Sequence, residues 1–264
     1  MLLKRLFKNN THNLLFKLIA GVGTNVNRLY ENRNHDALSN GELTVLKKLS
    51  KVHPNIIFDV GANKGHYAKL ILDTNPDAHI YCFEPVNDTY AILERSFGDQ
   101  VPSNVTLIKK GLYKVNSDFE INIFPSNEHA SLFDLRGINY SYIRKEKIDL
   151  VSLDSFAENH RIGSIDFVKL DLEGAEMDAL LGMKNALSMK KIRAIQFEYG
   201  YINVTTRNLL ADYYDFFKKY DYVIGKIYPK TVEFRDYRIK HEDFIGPNYI
   251  AVRKDDSELI RLLS

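Results

Sequence analysis

The sequence predicts an α/β fold: a mostly parallel sheet with helices on both faces. Three observations carry this prediction. From Pro54 onward, short apolar runs rich in β-branched residues alternate with amphipathic stretches. A glycine turn, Gly61 to Gly65, follows the first run and opens a helical pattern. Acidic residues close several of the runs, where ligands of such sheets bind.

The elements follow in order. Ser39 and Glu42 form a capping-box pair ahead of Leu43, Val45, Leu46 and Leu49, so a helix runs to about Leu49. Asn55 to Val60 reads as a buried strand, and Tyr67 to Leu72 as a helix closed by Asn75-Pro76. His79 to Phe83 is the next strand. Asn87 or Asp88 caps a helix through Phe97 that Gly98 stops, and Val105 to Ile108 is a third strand. The alternation then breaks. Phe119 to Phe124 and Ile148 to Leu153 read as strands around an irregular stretch, Pro125 to Lys147, suited to a lid or substrate loop. It resumes with a strand at Ile165 to Leu170, a helix at Ala175 to Leu187 and a strand at Ile192 to Phe197. A helix at Arg207 to Tyr220 follows, with an antiparallel closing pair at Tyr222 to Tyr228 and Asn248 to Val252.

The chain of 264 residues is long enough for one domain with an appendage, divided here into a helical extension, 1–52, and the main domain, 53–264. A formal charge of +2 shows no basic stripe, so nucleic acid is not an expected partner. The single cysteine, Cys82, lies in an apolar run, which excludes an internal disulfide and favours a reducing, cytoplasmic setting. Near the N-terminus, Lys4, Arg5, Lys8, Lys17, Arg28 and Arg33 face one acid, Glu31. The apolar run from Leu14 is interrupted by Lys17 and is too short to span a bilayer. An amphipathic helix packed on the domain is expected there, with peripheral membrane or partner contact through its basic face as the other reading.

At the first strand end, Gly61 and Gly65 permit close backbone approach to a nucleotide-like cofactor. The helix that opens there directs its N–H groups at the ligand. Asp59 is placed to accept from an ammonium group or to fix the loop, and Asn63 to bond backbone or ligand. Glu84, nineteen residues after Gly65 and at the end of the second strand, suits the two hydroxyls of a ribose. A dinucleotide fingerprint needs glycine where Asn63 stands, and no Gly-Lys-Ser/Thr follows for a phosphate loop. S-adenosylmethionine fits better than either rival.

A second cluster lies at Lys169-Leu170-Asp171-Leu172-Glu173-Gly174-Ala175-Glu176, and Glu198-Tyr199 closes the next strand. Alternation puts Lys169 and Asp171 on one face. Together with the turn Phe58-Asp59-Val60-Gly61-Ala62-Asn63-Lys64-Gly65 and with Phe83-Glu84-Pro85, this sequence resembles the FkbM-type methyltransferases. Ser131-Leu132, Val151-Ser152-Leu153-Asp154 and Phe197-Glu198-Tyr199 add to the resemblance, which runs from about Asn55 to Arg253. It implies a class I methyltransferase fold: a Rossmann-like, seven-stranded sheet with an antiparallel last strand. It also implies O-methylation, of sugar hydroxyls in glycans or of hydroxylated natural products. By that pattern Asp59, Gly61, Asn63, Gly65 and Glu84 bind S-adenosylmethionine, with Ala62, Pro85 and Gly111 completing the set, and Asp171 lies beside the methyl group. Substrate contact is expected around His129 and Ser131.

The chemistry needs a base for the acceptor hydroxyl. Asp171 is the expected base, with Glu173 or Glu198 orienting the acceptor and Lys169 pairing with Asp171; a structural Lys169–Asp171 ion pair is the alternative. Asp171, Glu173 and Glu198 also form a candidate Mg²⁺ or Ca²⁺ set, a less favoured variant. The eight histidines show no zinc spacing. Tyr199 and Tyr201 are the aromatics placed for substrate contact. A non-catalytic module that keeps the fold is the remaining class, against which stand Gly61, Gly65, Glu84 and Asp171.

Overall fold

A computed structural model describes residue 8 and residues 11–124, 130–133 and 143–264. The strands, in chain order, are β1 (Ile56–Val60), β2 (His79–Phe83), β3 (Val105–Ile108), β4 (Gly111–Leu112), β5 (Ser117–Ile123) and β6 (Ala130–Ser131), then β7 (Arg144–Val151), β8 (Ile165–Leu170), β9 (Ile192–Glu198), β10 (Tyr222–Ile227), β11 (Val232–Phe234) and β12 (Asn248–Arg253). The helices are α1 (Leu14–Tyr30), α2 (Glu42–Leu49), α3 (His66–Thr74), α4 (Asn87–Ser96) and α5 (Leu153–Asn159), followed by α6 (Glu176–Leu181), α7 (Lys184–Ser188), α8 (Ile202–Thr206), α9 (Leu210–Lys218) and α10 (Ser257–Leu263).

Eight strands form the main sheet, in the order β11-β10-β12-β9-β8-β1-β2-β3. β3, β2, β1, β8 and β9 are parallel, and β12 lies antiparallel between β9 and β10. The antiparallel closing pair is therefore present, with its last strand, β12, inside the sheet and third from the edge. The short β11 adds an eighth strand to the seven expected.

Two apolar layers cover the sheet. Phe58, Val60, Val168, Leu170 and Phe197 pack on one face against α5, α6, α7 and α9. Ile57, Cys82, Phe167 and Ala194 pack on the other against α2, α3 and α10. Strands buried on both faces explain the near-continuous apolar runs of the sequence.

Several boundaries differ from the sequence reading for identifiable reasons. The Ala175–Leu187 helix is broken into α6 and α7 at Gly182, where a Cβ would sit 2.0 Å from the Tyr113 carbonyl oxygen. The Arg207–Tyr220 helix starts only at Leu210, because Arg207 takes a left-handed conformation with φ of 61°. Ser39 does not cap α2. Its hydroxyl bonds Asp36, and the Asn40 side chain accepts from the Glu42 N–H instead. The segment read as irregular between Pro125 and Lys147 ends earlier, since β7 begins at Arg144. β7 joins β4, β5 and β6 in a second, four-stranded sheet whose Ile121, Ile148 and Leu150 form a small core of their own.

α1 departs from the expected packing. None of its residues is buried. No helix among the described residues is long and apolar enough to cross a membrane.

Candidate active site

Parallel register brings the acids to one edge. Asp59 on β1 stands beside Lys169 on β8, which stands beside Gln196 on β9. Beyond these ends opens a cleft of about 740 Å³ lined by Gly61, Ala62, Asn63, Glu84, Pro85, Gly111, Lys169, Asp171, Glu173 and Glu198. The second sheet contributes Ile121, Ile148 and Leu150 as an apolar wall. Arg33, His35 and Phe244 to Pro247 complete the lining.

The turn after β1 is fixed from below. The N–H groups of Gly61 and Ala62 both donate to the Phe83 carbonyl, at 3.0 and 2.9 Å. The glycines answer to packing within the protein. A Cβ at residue 61 would lie 1.9 Å from the Asp171 carbonyl oxygen, and one at residue 65 would lie 2.7 Å from Ser96 Oγ and 2.8 Å from a Leu93 methyl. Gly65 does not line the cleft, and it serves the seating of α3 on α4.

Glu84 is 6% exposed, and both of its oxygens accept backbone hydrogen bonds, Oε1 from Val86 at 2.9 Å and Oε2 from Asn63 at 3.1 Å. Burial pushes its pKa up to about 7, against the pull of those two N–H groups. A carboxylate offers about four lone-pair sites. Two are used by the backbone, so each oxygen keeps acceptor capacity for a ligand hydroxyl.

At the second cluster, Lys169 Nζ donates to Asp171 Oδ2 at 2.8 Å and stacks 4.5 Å from the centre of the Tyr67 ring. Burial works against the ammonium, but Asp171, Asp59 and Glu42 outweigh it and raise the lysine pKa. Asp59 itself is fully buried behind the cleft, and neither of its oxygens accepts a hydrogen bond. Burial raises it to about 6, with Lys169 as the opposing influence. It does not line the cleft, and the charged group beside it is Lys169.

The loop from Asp171 to Ala175 is held by Glu176, whose Oε1 accepts from the N–H groups of Leu172 and Gly174 at 2.9 and 3.3 Å. Burial lifts Glu176 to about 7. Glu198 is also raised well above the ordinary carboxyl range, by burial and then by Asp171, Glu173 and Glu176. Carboxyls raised by burial at a cleft are a common feature of acid–base sites.

Of the expected substrate contacts, Ser131 and Tyr199 are held within the protein. His129 lies outside the described residues. Ser131 is fully buried and supports the loop: its hydroxyl donates to the Glu173 carbonyl at 2.8 Å and accepts from the Phe133 N–H at 3.1 Å. Tyr199 is a core residue, with its hydroxyl donating to Glu242 at 2.5 Å and its ring stacked on Phe244 at 5.4 Å. Tyr199 nevertheless lines the cleft beside the half-exposed Tyr201. Asp171, Glu173 and Glu198 share the cleft, and no group of three His, Cys, Asp or Glu side chains among the described residues is arranged to hold a metal ion.

The sequence reading passed over Glu42, Tyr67 and Gln196. Gln196 Nε2 donates to Glu42 at 2.6 Å, and the Tyr67 hydroxyl meets Gln196 at 3.3 Å. These groups form a polar layer behind Lys169. A glutamine inside an otherwise apolar strand was the available signal.

One further tie joins the segments next to Arg33 and Phe244. Lys226, fully buried, donates to Glu31 at 2.7 Å and stands 3.8 Å from Asp243. Asp243 in turn accepts from the Ile245 N–H at 2.8 Å. Lys226→Met leaves two half-buried carboxylates facing each other, and should cost about 3 kcal/mol in urea unfolding. A loss below about 1 kcal/mol would show that water reaches the pair.

A sheet of this order, with a glycine turn after its first strand and an acid closing its second, defines a class I methyltransferase fold. The chain belongs to the FkbM methyltransferase family, whose domain model (Methyltransferase FkbM domain) matches residues 59–224. It is 28% identical over 173 residues to the 2-O-methyltransferase NoeI of Sinorhizobium fredii, covering 59% of this chain and 67% of that protein. It is 25% identical over 174 residues to the hexuronic acid methyltransferase AglP of Haloferax volcanii, covering 65% and 69%. The crystal structure of methyltransferase FkbM from Methylobacillus flagellatus superposes with a TM-score of 0.50 at 18% identity. That match covers 76% of this chain but only 44% of the crystallised one.

Proposed function

We propose that this chain is an S-adenosylmethionine-dependent O-methyltransferase acting on a sugar hydroxyl of a glycan or glycan precursor. The observation that carries the reading is the meeting, in one cleft, of Glu84 with the Lys169–Asp171 pair. The residues present fit the cofactor. Glu84 retains acceptor capacity for a ribose diol, and Pro85, Gly111 and Leu150 meet beside it as a surface for a flat base. The sugar acceptor is supported by the names of NoeI and AglP, one a 2-O-methyltransferase and the other a hexuronic acid methyltransferase.

The bound cofactor supplies the electrophilic methyl group. The chain's own residues hold the acceptor oxygen and take its proton. Asp171, one-third exposed and pinned by Lys169 through one oxygen, is the group placed to receive that proton. Glu198, raised well above an ordinary carboxyl, is suited to donate a hydrogen bond that orients the acceptor. Incubation with methyl-labelled cofactor and a panel of uronic acids, neutral sugars and oligosaccharides, with and without EDTA, tests the acceptor class. Label in an alkali-stable ether on a sugar is expected. Label appearing only on phenols or amines would overturn the sugar reading.

The ionised Glu84 is the form that accepts from two hydroxyls. Cofactor affinity should therefore be full above pH 7 and fall as pH drops through about 7, the Glu84 value. Glu84→Gln should weaken cofactor binding about ten- to a hundredfold at pH 8 and flatten that dependence. Unchanged affinity in the variant would remove Glu84 from the site.

A further inference from the structure

We propose that α1 is an interfacial anchor that lies on an anionic lipid surface. Leu15, Leu18, Ile19, Val22, Val26 and Leu29 fall at intervals of three and four, one continuous stripe along the helix. Each is between 54% and 81% exposed. None of the helix is buried, so the domain does not cover the stripe. Asn13 caps the helix by accepting from the Phe16 N–H, so α1 has its own start signal.

Charge decides what the stripe meets. Between Met1 and Tyr30 stand Lys4, Arg5, Lys8, Lys17 and Arg28, with no acid. A second copy of the same helix would set these like charges side by side with nothing to pair them. Anionic headgroups complement them while the stripe enters the acyl boundary. The helix is too short and too interrupted to cross the bilayer, so it lies in the plane.

The attachment is directed. α1 runs straight into Glu31 and Asn32, which are fastened to β10: Glu31 by Lys226 at 2.7 Å, and Asn32 Nδ2 by the Ile227 carbonyl at 3.0 Å. Arg33 and His35, immediately beyond, line the cleft. A helix lying on lipid thus sets the cleft mouth beside the membrane. This inference stands independently of the methyl-transfer reading, because its test measures binding alone.

The test is co-sedimentation of the full chain with two kinds of vesicle, pure phosphatidylcholine and an equal mixture of phosphatidylcholine and phosphatidylglycerol. Binding to the mixed vesicles is expected, at least about tenfold tighter than to the neutral ones and weakened by salt. Leu18→Glu/Val22→Glu and, separately, Lys17→Glu/Arg28→Glu should each lower it about tenfold or more, with the thermal midpoint unchanged because these side chains pack on nothing. Absence of binding to either vesicle would overturn the proposal, as would equal binding to both. A concentration-dependent dimer that is lost in Leu18→Glu/Val22→Glu, with no vesicle binding, would assign the stripe to a second copy instead.

Discussion

Asp171→Asn is expected to lower kcat by about a hundred- to ten-thousandfold, the usual worth of a positioned general base. The substitution is mild for the fold. Asparagine keeps an oxygen that accepts from Lys169 Nζ, the bond seen at 2.8 Å, so the ammonium does not lose its partner altogether. Cofactor affinity should change little, since in the proposed reading the ribose acceptor is Glu84, just beyond β2. KM for the acceptor should move less than kcat, because the lost interaction belongs to proton transfer. If the pair is only structural, the pattern reverses: unfolding free energy falls and kcat per folded molecule holds. Steady-state kinetics on the variant, together with urea unfolding, separates the two.

Gly61→Ala should cause a large loss of stability. The backbone there has φ of 82°, which disfavours any side chain, and the new Cβ would lie 1.9 Å from the Asp171 carbonyl oxygen. Neither partner gives way easily. Asp171 N–H donates to the Val60 carbonyl at 3.0 Å, and the Gly61 N–H donates to Phe83 at 3.0 Å. A loss of about 3–5 kcal/mol in urea unfolding is expected, with cofactor binding impaired in whatever remains folded. A loss under about 1 kcal/mol would show that the loop between β8 and α6 shifts freely. The same contact links the turn after β1 to the loop between β8 and α6 through backbone alone.

How much of this was legible in the sequence depended on which forces set each feature. Strands buried on both faces write themselves as apolar runs, so β1, β2, β8 and β9 were readable, as were the edge strand β3 and the antiparallel closing pair. Helix breaks were not. Gly182 yields to the approach of the Tyr113 carbonyl, a contact between segments distant in the chain that no local pattern encodes. The residues lining the cleft were largely readable because strand ends gather at one edge of a parallel sheet. Their individual roles were less so. Asp59 and Ser131 sit one layer behind the surface, and Tyr199 spends its hydroxyl on Glu242, a residue 43 positions away. Glu42 looked like half of a capping box, and its inward turn toward Gln196 depends on tertiary packing of α2. The exposed stripe of α1 was visible as amphipathicity, but its lack of cover within the chain was not.

The central claim is a cofactor site built on Glu84 and the turn after β1. Isothermal titration of the full chain with S-adenosylmethionine at pH 8, in parallel with Glu84→Gln, tests it most directly. One-to-one binding with Kd of about 1 μM to 1 mM is predicted for the unaltered chain, weakened at least about tenfold in the variant. No binding by a folded, unaltered chain, or equal binding by both proteins, would contradict it.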